Sequence, residues 1–150
     1  MNVTLQEITS DNWMQAIKLK VDSSQENFVA TNVFSIAQSK VEPYWVTRAI
    51  YEDQTMVGFL MYGLEMEGND LDGYWICRLM IDKGYQGKGY GKTAMQIVID
   101  VIKETRADKI FISFEPENAT AEKLYEGLGF YDTGHIEDGE KVYRIDLSYE

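Results

Sequence analysis

The chain has a single cysteine, Cys77, and a single histidine, His135. An internal disulfide is excluded, and a zinc site or any other multi-ligand metal site is not expected. Only Pro43 and Pro116 interrupt the chain, with no tract rich in Pro, Gly or Ser and no internal repeat. Residues 1–150 therefore read as one domain. No apolar run approaches the roughly 20 residues that span a bilayer, so no membrane partner is expected. The start MNVTLQEITSDNW lacks the basic residues and the apolar stretch of a secretory signal, and a cytoplasmic location is the expectation. Positive charge is scarce as well: 14 Lys and Arg stand against 25 Asp and Glu, a formal charge of −11. Nucleic acid would be repelled. The acidity either draws in a cation such as a polyamine or a basic peptide, or serves solubility alone.

What is present suits a folded chain. Hydrophobic residues make up 45% and aromatics 13%, which excludes intrinsic disorder. Val3 to Ile8 alternates as a half-buried strand does and ends at the turn residues Thr9, Ser10 and Asp11. Trp13, Ile17 and Val21 recur at helical spacing, and Ser35 to Val41 gives a second, weaker helix. Tyr44 to Tyr51 and Thr55 to Leu64 read as a hairpin, and a polar turn over 68–73 leads to the apolar strand Tyr74 to Ile81, expected to be buried on both faces. After the glycine-rich stretch 84–91 comes an amphipathic helix whose buried stripe is read as Ala94, Val98, Val101 and Ile102. Lys109 to Phe114 is a strand and Ala119 to Leu128 a helix stopped by Gly129. Tyr131 to Ile136 and Glu140 to Leu147 form a closing hairpin turned at Asp138-Gly139. A strand, helix, strand succession inside an otherwise antiparallel order implies an α/β fold with a mixed sheet and one parallel pair.

The chemistry concentrates at Gln86-Gly87-Lys88-Gly89-Tyr90-Gly91, between a buried strand and a helix start. Glycines let the backbone approach a phosphate, and the free N–H groups of a first helical turn carry about half a positive charge to meet it. A Walker loop fails by one residue, since Gln86 stands where its first glycine is required before Gly91-Lys92-Thr93. Gly89, Gly91 and Ala94 fit the weak dinucleotide pattern G-x-G-x-x-A, but that motif follows its strand directly and normally opens the fold. A glycine-rich connection without a ligand is the remaining alternative.

Gln86, Gly89 and Gly91 match the pattern of Gln or Arg, two residues, Gly, one residue, then Gly or Ala. In this the segment resembles the acetyl-CoA pyrophosphate loop of the GNAT superfamily. Downstream, Asn118-Ala119-Thr120-Ala121 followed by Leu124-Tyr125-Glu126 and Gly129-Phe130 is similar to that family's second cofactor motif. Within the family, Gln25 to Ala30, Tyr62-Gly63 and Tyr85 to Gly89 resemble small bacterial spermine and spermidine acetyltransferases.

The resemblance implies the GNAT acyl-CoA N-acyltransferase fold, acetyl-CoA as co-substrate and a small-molecule amine as acceptor, in a chain that forms a homodimer. It assigns Gln86, Gly87, Lys88, Gly89, Tyr90, Gly91 and Lys92 to the pyrophosphate, with Asn118 and Ala121 beside the cofactor. The backbone of Leu79, Met80 or Ile81 would lie along the pantetheine arm and supply the oxyanion donor, where the fourth strand splays from the fifth. By residue type alone Tyr125 reads as a buried helix tyrosine packing with Leu124 and Leu128; the combined motif reverses this, and there it matches the acid that protonates the leaving thiolate. In polyamine acetyltransferases of this kind a carboxylate stands two positions before Leu79; here that place holds Cys77, read as inert core. Water would then relay the proton. Glu26 and the loop acids Glu65, Glu67, Asp70 and Asp72 would bind a polycation or accept its proton through solvent, and Phe28 would line an alkylamine pocket. Trp13 and Trp45 are expected in the core and His135 in a solvent-facing turn. Transfer to an amino acid, an antibiotic amine or a protein N-terminus, and an acyl-CoA-binding module without turnover, are the rival readings.

Overall fold

Period-two alternation along the strands sorts apolar side chains onto two faces, and each face is covered by its own pair of helices. In the computed structural model, which describes residues 1–149, the strands are β1 (Val3–Glu7), β2 (Trp45–Glu52), β3 (Thr55–Glu65), β4 (Gly73–Ile81), β5 (Lys109–Phe114), β6 (Tyr131–Glu137) and β7 (Glu140–Asp146). The α-helices are α1 (Trp13–Lys18), α2 (Asn32–Val41), α3 (Tyr90–Lys103) and α4 (Ala119–Gly127). All seven strands join one sheet in the order β1-β2-β3-β4-β5-β7-β6, antiparallel throughout except between β4 and β5. The mixed sheet with one parallel pair is as the sequence implied. Both two-residue hairpin loops form, and Asp138 and Gly139 take the left-handed values φ 49° and 81° that such a turn requires.

On one face Leu60, Ile76, Ile110, Ile112 and Tyr143 pack with α3 and with Tyr125 and Phe130. The opposite face gathers Phe59, Met61, Trp75, Phe111 and Val142 against Ile36 of α2 and the segment holding Val21 and Val29. Neighbours in sequence such as Leu60 and Met61, or Ile110 and Phe111, thus go to different cores. Along α3 the fully buried residues Ala94, Met95, Val98 and Ile102 repeat at intervals of three and four, and truncating one of the larger side chains to Ala costs about 2–5 kcal/mol.

Four details differ from the sequence expectation. Trp13 is 44% exposed, because it opens the short α1 at the rim rather than under it. The first helix ends at Lys18, where Leu19 turns extended (ψ 138°) and carries Val21 toward the second core. The second helix begins earlier, at Asn32, because the Thr31 hydroxyl accepts the Phe34 N–H at 3.2 Å and caps it. Val101 is 38% exposed despite its spacing: the last turn of α3 overhangs a shallow groove lined by Tyr44, Val46 and Tyr62 instead of the closed core.

β4 is also less buried than its composition suggests. Met61 pairs with Arg78 and Tyr62 with Ile76, leaving Cys77 as an extra residue, a bulge that bends the strand. Pairing with β5 stops there: only Tyr74, Trp75 and Ile76 are matched, with Ile110, Phe111 and Ile112. Beyond Ile76 the two strands diverge, and a wedge opens through the sheet between Cys77–Ile81 and Ser113–Phe114.

Candidate functional site

A cleft of about 850 Å³ occupies that wedge, within the range of small-molecule sites. One side is made of backbone. Gly87 (φ 77°) and Gly89 (φ 85°) hold left-handed conformations that cost other residues about 1–2 kcal/mol. They turn the chain so that α3 starts with its end toward the cleft. The first intrahelical bond runs from the Thr93 N–H to the Gly89 carbonyl at 3.1 Å, so the N–H groups of Tyr90, Gly91 and Lys92 have no helical acceptor, and no side chain caps them. An anion is the natural partner for such a terminus. A Cβ on Gly91 would meet Ile81 at 3.7 Å and Leu124 at 4.0 Å, ordinary contacts. Protein packing therefore tolerates a methyl group at Gly91.

The Gln86 side chain is spent inside the protein. Its Nε2 donates to the side-chain Oε1 of Gln25 at 2.8 Å and to the backbone carbonyl of Ile81 at 3.0 Å, tying the glycine loop to the 21–30 segment and to the end of β4. Leu79, Met80 and Ile81 form the cleft wall, their edge free of β5. Opposite them, Asn118 caps α4 by accepting the Ala121 N–H at 3.1 Å, and both residues line the cleft.

Tyr125 stands on α4 against Phe114 and Phe130, with ring centroids 5.6 and 6.0 Å away, and it lines the same cleft. Burial, and then the charge of Glu140, push its hydroxyl up to about 12. It stays protonated throughout the neutral range and is a donor, not a base. Among the described residues no group hydrogen-bonds this hydroxyl. Cys77 lies on the bulge, and burial pushes its thiol up to about 12 against the opposing pull of Arg78. It is a neutral thiol in the cleft wall, where the sequence predicts inert core.

The other side of the cleft is built from side chains of distant segments. Phe28 lines it together with Asn27, Val29 and Ala30. Glu26 and Lys88, named from the sequence, are exposed and lie outside the lining. The loop acids Glu65, Glu67, Asp70 and Asp72 are outside it too. Asp72 serves its own loop, where its carboxylate accepts the N–H groups of Glu67 and Gly68 and is held below the usual carboxylate range by them. Partial burial and the neighbouring Glu67 and Glu42 hold Glu65 above that range. Trp45 is buried as expected, and His135 is exposed as expected but lies on β6 and not in a turn.

Three charged groups that sequence reasoning missed do line the cleft: Arg78, Asp138 and Glu140. The Arg78 guanidinium donates to the Cys77 carbonyl at 2.9 Å and to Gln38 at 3.2 Å, and it meets no carboxylate among the described residues. Glu140 accepts the Ser113 hydroxyl at 2.7 Å. Nothing local in the sequence marks these residues. The register of β7 against β5, which sets Val142 opposite Ser113, is the one signal that could have placed Glu140 there.

Comparison with known proteins gives a consistent picture. The model of the acetyltransferase (GNAT) family matches residues 5–130. The chain is 31% identical over 147 residues, 95% of its length and 97% of the relative's, to the spermine/spermidine N(1)-acetyltransferase of Bacillus subtilis. Among solved structures, the PaiA N-acetyltransferase of Thermoplasma acidophilum in complex with coenzyme A superposes with a TM-score of 0.72 at 13% identity, covering 98% of this chain and all of that one. The ribosomal-protein-S18-alanine N-acetyltransferase of Escherichia coli does so with a TM-score of 0.73 at 17% identity, covering 99% and 96%.

Proposed function

Because the chain belongs to the acetyltransferase (GNAT) family and is an acetyl-CoA-dependent N-acetyltransferase, we propose that its acceptor is a polyamine, spermine or spermidine, attacked directly in a ternary complex. The observation that carries this reading is the convergence, in one wedge through the sheet, of an uncapped helix start, an unpaired strand edge, Tyr125 and two carboxylates. Likeness over nearly the full length to a spermine/spermidine acetyltransferase supports the choice of amine.

The residues fit acetyl-CoA on this structure's own geometry. The N–H groups of Tyr90, Gly91 and Lys92, with the Gly87–Gly89 turn, would hold the diphosphate. Leu79–Ile81 would take the pantetheine arm as an added strand and present a backbone N–H to the negative charge that develops on the carbonyl oxygen. Bound acetyl-CoA supplies an activated acyl group. Tyr125 would donate its proton to the departing sulfur, a role that its protonated state suits. Asp138 and Glu140, on the far side, would hold the positive ends of a polyamine.

A primary amine has a pKa near 10.4, so at neutral pH only about one molecule in a thousand is nucleophilic, a penalty of roughly 4 kcal/mol. A carboxylate-lined cleft must therefore both attract the cation and let it lose a proton. Release of free coenzyme A, measured across spermine, spermidine, simple diamines, amino acids and peptides, tests the reading: kcat/KM should be highest for the polyamines. Equal rates for monoamines would reject it.

Arg78 favours a second reading. A guanidinium without a carboxylate partner in the acceptor half would bind the carboxylate of an amino-acid substrate. The same panel separates the two, since that reading places an α-amino acid first. A cytoplasmic setting and a homodimer are part of the proposal, and light scattering on the purified chain tests the dimer.

A further inference from the structure

The residue two positions before Leu79 is Cys77, whose thiol is held neutral, so β4 brings no carboxylate to the cleft. Of the groups that line it, Arg78 and Lys92 are cations and the tyrosines are weak acids. The carboxylates of the lining are Asp138 and Glu140. Asp138 sits in the exposed hairpin turn at the mouth. Glu140 lies deeper. Its strand pairs with β5 so that Val142 faces Ser113, and Val142 packs with Phe111 in the core on the α2 side. Alternation then puts Glu140, two before Val142, and Ser113, two after Phe111, on that same face, where the 21–30 segment also lies. The Ser113 hydroxyl donates to Glu140 Oε1 at 2.7 Å and fixes it, leaving Oε2 unbonded. Among the described residues, the two ion pairs are Lys141–Glu122 and Arg144–Asp146, so no cation neutralises Glu140. The carboxylate is oriented and open to the wedge.

We propose that the Glu140 carboxylate, oriented by Ser113, accepts the proton that the attacking amine sheds, in place of a carboxylate on β4. The proposal rests on acetyl transfer through this cleft and not on the identity of the amine. The ammonium loses one proton to water before attack. As the new C–N bond forms, a second N–H becomes strongly acidic and passes its proton to Glu140; as the C–S bond breaks, the sulfur takes the electron pair and the Tyr125 proton. Return of the proton from Glu140 to Tyr125 through solvent restores the starting state, leaving amide and free thiol. The charged and titratable groups around Glu140 are Tyr125 from α4, Cys77 and Arg78 from β4, Asp138 and Glu137 from the hairpin, and Lys141 next to it in sequence and paired with Glu122 of α4.

The test compares wild type, Glu140→Gln, Glu140→Asp and Ser113→Ala on whichever amine the wild type acetylates fastest. An amide at position 140 can still accept the Ser113 hydroxyl, so the β5–β7 brace survives. Glu140→Gln should lower kcat by about 100-fold or more, with acetyl-CoA affinity unchanged. Glu140→Asp should recover part of the rate, and Ser113→Ala should cost about 3-fold to 10-fold in kcat. Two results would overturn the proposal: Glu140→Gln with kcat within about threefold of wild type from pH 5 to 9, or a rise in KM alone, which would leave Glu140 as an ammonium anchor. Should Glu140→Gln not fold, an unchanged kcat and pH profile in both Glu140→Asp and Ser113→Ala would overturn it equally. A wild type that prefers an amine other than a polyamine rejects the substrate reading alone, and Glu140 is then judged on that amine.

Discussion

The two halves of the cleft are built on different principles. The half proposed for the cofactor is made of main-chain features: left-handed glycines, an uncapped helix start and a strand edge released by a bulge. The half proposed for the acceptor is made of side chains that come from the 21–30 segment, from β4 and from the last hairpin. Backbone recognition needs particular residues at adjacent positions and leaves a local motif. Side-chain recognition needs residues that meet only after the sheet has formed, and it is free to draw them from anywhere.

Substitutions can break this contrast, beginning with the strongest. Gly89→Val forces a β-branched residue into φ 85° and disturbs the cradle, so acetyl-CoA should bind about 100-fold more weakly or worse, with about 1–2 kcal/mol lost in folding stability. Calorimetric titration and denaturant unfolding read the two effects separately. Tyr125→Phe should reduce kcat by about 100-fold while acetyl-CoA affinity and melting temperature stay as in wild type, since the hydroxyl makes no bond to the described protein. An unaltered kcat would remove Tyr125 from the chemistry.

Smaller effects sharpen the acceptor side. If the substrate is a polycation, Arg78→Leu should lower its KM about 3-fold to 10-fold by removing a like charge at an effective dielectric near 20. An increase would favour the amino-acid reading. Burial raises Cys77 in the folded chain from 9.0 to about 12, so the folded form keeps a proton that the unfolded form loses. That contribution is complete below pH 9 and disappears as pH rises toward 12, and Cys77→Ala should flatten the alkaline decline of stability in that window. Least affected should be Gly91→Ala. The new methyl fits at 3.7 Å from Ile81, and helix propensity adds about 0.5–1 kcal/mol of stability, with acetyl-CoA affinity changed by no more than about threefold.

Much of the framework was legible before folding. The strands, the parallel pair and the glycine loop followed from periodicity and turn residues, because each depends on a short window of chain. Trp13 and Val101 were read as buried because spacing reports the face a residue takes, while burial depends on what lies opposite. At Trp13 the helix is short and at the rim; at Val101 the sheet leaves only a shallow groove. Glu26 was read toward the substrate from its neighbours in sequence, yet its side chain lies outside the cleft lining beside Phe28, which is within it.

From its sequence alone the chain determined a mixed sheet, a glycine-flanked helix start at Gly89 to Lys92 and a tyrosine on the helix after β5. These are properties of contiguous residues, where hydrogen-bonding geometry and steric freedom act over a few positions. Only the tertiary structure decided that β4 parts from β5 at Cys77, that Arg78 lines the cleft, and that Ser113 and Glu140 meet across 27 residues of chain. Strand register sets those neighbours, and register is fixed by the packing of two whole cores, which no short window of sequence contains.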